Sequence, residues 1–137
     1  PEFIDVWVGK RSFPILCDFT TPWEHHRWVT HESDVTLTTD ERGEGQLLIE
    51  MADDPDDDKY PGVEFVPVVC DWTGYETLRI VFTSPESIRL NISVRDQREK
   101  NNYGERFNFE RTFETGTHEL TFTLAEIAAG PRTEPID

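Results

Sequence analysis

Between Ile88 and Arg95 the chain alternates strictly. Ile88, Leu90, Ile92 and Val94 face one way, and Arg89, Asn91, Ser93 and Arg95 the other. A strand has a side-chain period of two, so this run predicts a half-buried strand with a polar outer face. Asp96 to Gly104 is a polar turn, after which Phe107 and Phe109 alternate with Arg106, Asn108 and Glu110. Two such strands around a polar turn predict a hairpin. Its outer face carries Arg95, Arg106 and Asn108, with Tyr103 at the rim.

The same period recurs along the chain. Phe3 to Val8 and Ile15 to Thr20 are short, apolar and rich in β-branched or aromatic residues, and both read as strands. Thr21 to Trp28 reads as a loop holding Trp23 and Trp28. Val35 to Thr39 and Gln46 to Met51 alternate around a turn over Asp40 to Gly45. Val63 to Val69 reads as an edge strand, because Pro67 removes a ladder donor. Asp71 to Tyr75 is a turn, and Leu78, Ile80 and Phe82 open a further strand. His118 to Leu124 is the last strand, and Ala125 to Ala129 reads as a helical turn before Gly130 and Pro131. About eight short strands with no long helical pattern between them predict an all-β antiparallel β-sandwich or jelly roll. With no internal repeat and no linker, residues 1–137 read as one domain.

Composition narrows the function. Aromatics at 12% supply a core despite a charged share of 30%. The net charge of -15 opposes a nucleic-acid backbone and an anionic membrane surface, both of which need cationic footprints. Neutral ligands such as glycans stay open. Cys17 and Cys70 permit one disulfide or two free thiols, and no Cys/His zinc spacing occurs. No apolar run is long enough to span a membrane. The chain begins at Pro1 rather than Met, which suggests a piece of something longer.

Four groups of residues carry candidate chemistry. On the hairpin, guanidinium forks, an amide and a flat ring suit sugar hydroxyls; the alternative is a solvated sheet face. Trp23 and Trp28 read as loop aromatics available for binding, whereas Trp72 reads as turn packing. Asp53, Asp54, Asp56, Asp57 and Asp58 form either a structural Ca²⁺ loop or a self-repelling solvated loop. His25, His26 and His31 lack the spacing of a metal site. No catalytic carboxylate frame, nucleophile elbow or phosphate loop is present, so no enzyme is expected.

The segments Asp18-Phe19, Tyr60-Pro61-Gly62-Val63, Asp71-Trp72-Thr73-Gly74-Tyr75-Glu76-Thr77-Leu78, Arg95-Asp96, Tyr103-Gly104-Glu105-Arg106-Phe107-Asn108 and Leu124-Ala125-Glu126-Ile127 cover most of the chain in a consistent order. Together they resemble the galactose-binding-like β-jelly-roll domains. Within these, the chain is similar to carbohydrate-binding modules appended to glycoside hydrolases and to the domain fused to bacterial VanZ-like membrane proteins. The resemblance implies a non-catalytic carbohydrate-binding module holding its glycan through Arg95, Arg106, Asn108, Tyr103, Tyr60 and Asp96, with no cofactor beyond a structural Ca²⁺. It also implies an extracellular or periplasmic place on a larger, sometimes membrane-attached protein. The alternative within the same fold is a structural or protein-interaction domain. Domains of this type continue past a segment like Arg132 to Asp137 into further strands. Their absence would leave an edge beside the first strand for a strand-paired dimer.

Overall fold

Alternation becomes antiparallel pairing. The computed structural model describes residues 13–21, 24–51, 61–96 and 105–131. The described residues form an all-β arrangement with one short α-helix. The chain groups into two compact units, Pro1–Trp72 and Thr73–Asp137.

In the first unit a 3-10 turn, Glu24–Arg27, leads into β1 (Trp28–His31), β2 (Ser33–Thr39), β3 (Gly45–Met51) and β4 (Gly62–Phe65). β2 and β3 pair antiparallel from Ser33 opposite Met51 to Thr39 opposite Gly45. β1 and β4 pair from Trp28 opposite Phe65 to His31 opposite Gly62. The β2–β3 turn is built by Asp40. Its Oδ1 accepts from the Arg42 amide (2.8 Å) and the Glu44 amide (2.9 Å). Gly43 supplies the positive φ of 79° that the turn requires. The strand expected over Val63 to Val69 is shorter: β4 ends at Phe65, and the chain from Val66 to Val69, with Pro67 lacking a ladder donor, is not strand.

Ile15 to Thr20 is not a strand, contrary to its propensity. The Asp18 carboxylate accepts from the Thr20 amide (3.1 Å) and hydroxyl (2.7 Å), and Phe19 turns left-handed at φ 58°. This local side-chain-to-backbone bonding captures the chain before it can join a ladder. Trp28, expected in a loop, instead opens β1. Its ring lies 5.1 Å from that of Phe65 and 6.2 Å from that of Phe19. The strand expected over Phe3 to Val8 lies outside the described residues, and with it the edge proposed for a dimer.

The second unit holds β5 (Thr77–Ser84), β6 (Ile88–Val94), β7 (Phe107–Phe113), β8 (Gly116–Thr123) and α1 (Leu124–Ala129). β5 pairs with β8, from Thr77 opposite Thr123 to Ser84 opposite Gly116. β6 pairs with β7, from Ile88 opposite Phe113 to Val94 opposite Phe107. The apolar positions of the two ribbons meet in one core. Phe107, Phe113, Leu120, Phe122 and Ile127 are buried, with Leu78, Ile80, Phe82, Ile88, Leu90, Ile92, Val94, Phe109 and Leu124 packed against them. Phe82 meets Phe113 edge-on at 4.9 Å, and Phe122 meets Phe109 at 5.0 Å and Phe107 at 5.3 Å. These are the edge-to-face arrangements that aromatic quadrupoles favour.

Leu124, expected as the end of β8, starts α1 instead. The switch is fixed by a capping box. The Thr123 hydroxyl accepts from the Glu126 amide (3.1 Å), and Glu126 Oε2 accepts from the Thr123 amide (3.1 Å). At the other end, Gly130 lets the backbone lie on Phe107, since a Cβ there would come within 2.9 Å of the Phe107 Cα.

Candidate functional site

β6 and β7 bury Ile88, Leu90, Ile92, Val94, Phe107, Phe109 and Phe113 wholly or in part, and this fixes which residues face out. A one-residue slip would reverse every side chain, so the core pins the outer face. The cross-strand rows on that face are Arg89 with Thr112, Asn91 with Glu110, and Ser93 with Asn108. One step beyond the last paired residues, Val94 and Phe107, stand Arg95 and Arg106. With two residues per row at about 3.3 Å each, the four rows run about 20 Å.

The centre of this face is a connected polar network. The Ser93 hydroxyl donates to Asn108 Oδ1 (2.7 Å), and Asn91 Nδ2 donates to the same oxygen (3.2 Å) and to Ser93 Oγ (3.1 Å). Asn108 Nδ2 donates to the Arg106 carbonyl (3.1 Å). These bonds orient the Asn108 amide, its oxygen toward β6 and its nitrogen along β7. Arg89 and Glu110 form an ion pair at one end of the face. Arg95 at the other end is exposed and Arg106 is half-buried.

Of the residues expected to hold a ligand, Asn108 lies on the outer face, and Arg95 and Arg106 stand one residue beyond the last pair, Arg95 exposed and Arg106 half-buried with its Nε enclosed. Asp96 follows on the alternate parity and is half-buried. Tyr60 and Tyr103 lie outside the described residues. Asn91 and Ser93 join the face although they were not among the expected ligand residues. Their signal was in the sequence: they occupy the same parity as Arg89 and Arg95.

The other candidates separate. Trp28 is half-buried in an aromatic cluster rather than exposed for binding. The Trp72 indole donates to the Val69 carbonyl at 2.8 Å, which is turn packing. Trp23 and the acidic run from Asp53 to Asp58 lie outside the described residues. His31 sits 3.7 Å from Glu64 on the exposed surface of the β1–β4 pair. Among the described residues no group of three His, Cys, Asp or Glu side chains is placed to hold a metal. Cys17 and Cys70 are free thiols, the first half-buried and the second exposed.

The first unit also carries an open groove of about 800 Å³ between the Asp18–Thr20 turn and the end of the β2–β3 hairpin. Partial burial pushes the Asp18 carboxyl up, but the bonds from Thr20 outweigh it and hold the group below its usual value. Asp18 is thus a turn-former whose lone pairs are engaged locally. Comparison with known proteins adds no relative: no family model matches the chain, and neither the curated proteins nor the solved structures contain a match.

Proposed function

We propose that the chain is a non-catalytic carbohydrate-binding module of the jelly-roll, galactose-binding-like type. It would hold a glycan on the outer face of β6 and β7, as part of a larger extracellular or periplasmic protein. The observation that carries the reading is the ordered network of Asn91, Ser93 and Asn108 on an exposed sheet face, flanked by arginines. Sugar hydroxyls both donate and accept, and an oriented amide beside a hydroxyl can serve both roles. The pairing of both units supports the fold assignment. In each, the outer two strands pair and the inner two pair, as when one long ribbon is rolled over. The full jelly-roll type remains part of the proposal. Affinity on such an open face is modest, because little of the ligand leaves water.

A glycan array probed with the chain, with and without Ca²⁺, tests the reading. Binding to a defined glycan is expected, and Asn108→Ala and Arg106→Ala should each lower it by about tenfold or more with an unchanged circular dichroism spectrum. Binding unaffected by either change would remove this face from the site. Silence across a broad array from folded protein would favour the second reading, a protein-interaction domain. That reading has its own support in the exposed apolar side chains Val29, Leu48, Val66 and Val81.

A further inference from the structure

The open groove of the first unit has walls that the fold fixes. Gly45 stands at the start of β3, and a Cβ there would collide with the Phe19 carbonyl. The Asp18–Thr20 turn is thus seated on the end of the β2–β3 hairpin, and the Asp18–Thr20 bonds hold its shape. The space it borders, about 800 Å³, falls within the about 300–1,000 Å³ of sites that take small molecules. Its lining combines the aromatic Phe19, the hydroxyl-bearing Thr20, Thr38 and Thr39, and the acids Asp18 and Glu44. Among the described residues no cation lines it, and none pairs with Asp18 or Glu44. Neutral donors from Thr20 satisfy Asp18 without cancelling its charge.

Resting on the glycan reading for its saccharide part, we infer that this groove is a second site, separate from the β6–β7 face, and takes an amino sugar whose protonated amine is received by Asp18 and Glu44. Two exposed carboxylates with no cation beside them favour a positive charge, and the field of a chain at -15 draws cations toward it. The cation is organic rather than a metal. A calcium ion takes about six to eight oxygens, and among the described residues no three His, Cys, Asp or Glu side chains are placed to hold a metal. It is a sugar rather than a bare amine because charge occupies only part of the lining. Thr20, Thr38 and Thr39 can each donate and accept, as sugar hydroxyls do, and Phe19 offers apolar surface to the C–H face of a ring.

Titration calorimetry of the 137-residue chain tests this at about pH 5.5, where carboxylates are ionised and amines protonated. The probes are a short glucosamine oligomer, its N-acetylated form and tetralysine. The amine form should bind about tenfold or more tightly than the acetylated form, which keeps the rings and loses the charge. Glu44→Gln, at an exposed position, should bring the two forms to equal affinity. Asp34→Asn, an equal change of charge at the far end of β2, should leave the ratio unchanged, and so should Asn108→Ala on the β6–β7 face. Equal binding of the two forms by the unaltered chain would overturn the amine and leave the glycan reading standing. A ratio that falls as far in Asp34→Asn as in Glu44→Gln would overturn the groove in favour of long-range attraction. A ratio lost in Asn108→Ala and kept in Glu44→Gln would place the amine on the β6–β7 face and overturn the second site. Tetralysine bound as tightly as the amine form would overturn the sugar. Failure of the amino sugar alone, with other glycans bound on the array, would overturn this inference, and failure of every sugar would overturn both readings.

Discussion

Cys17 and Cys70 carry the same thiol into different surroundings. Burial raises Cys17 from 9.0 to about 11, with the Trp28 side chain acting in the opposite sense. Cys70 is exposed, its thiol 3.6 Å from the Pro67 carbonyl. The thiolate is the nucleophile, so the two should label at different rates. At pH 8, a disulfide reagent is expected to modify Cys70 quickly and Cys17 slowly, and both quickly in urea. A raised pKa means the fold favours the neutral thiol. Its contribution is therefore intact below pH 9 and is lost as pH climbs toward 11, so the native lag should shrink over that range. Equal rates at pH 8 would contradict the burial of Cys17. Sequence reading saw apolar neighbours around this cysteine and inferred a strand. The deciding interaction was the Asp18 carboxylate reaching across Phe19 to the Thr20 amide and hydroxyl, and it overrode the β-propensity of Ile15, Leu16 and Phe19.

At the scale of elements, alternation located most strands, because a half-buried strand writes its period directly into its residues. β2, β3, β5, β6, β7 and β8 all fall where the pattern put them, within a residue or two at their ends. The outer face of β6–β7 was legible for the same reason. Pairing was less legible. Period two says which side of a strand is apolar and nothing about which strand lies beside it, so the partnership of β5 with β8 and of β1 with β4 came only with the structure. Burial then sets the elements apart. Every buried apolar side chain among the described residues belongs to β7, β8 or α1, whereas Val29 in β1 and Leu48 and Met51 in β3 are exposed. Local opening is easiest where few apolar contacts are lost. Hydrogen exchange read by peptide mass should show β5, β7 and β8 protected longer than β1 to β4. Equal protection, or protection greatest in β2 and β3, would show that the first unit draws its stability from something other than its own apolar contacts.

For the molecule as a whole, charge is the dominant unbalanced quantity. At a net charge of -15 the folded chain concentrates repulsion that the expanded chain relaxes. Specific attraction offsets this only in part. The Arg79–Glu119 fork, with bonds of 2.7 and 3.1 Å, and the Arg89–Glu110 pair both lie in solvent, where such pairs contribute little. Salt weakens both effects, but the screening length falls from about 30 Å at 0.01 M to about 3 Å at 1 M. Long-range repulsion is therefore removed well before contacts between touching groups are. The melting temperature should rise with sodium chloride between about 0.01 and 0.5 M, most steeply at the low end. A melting temperature that falls over this range would mean that the paired arginines outweigh the net charge.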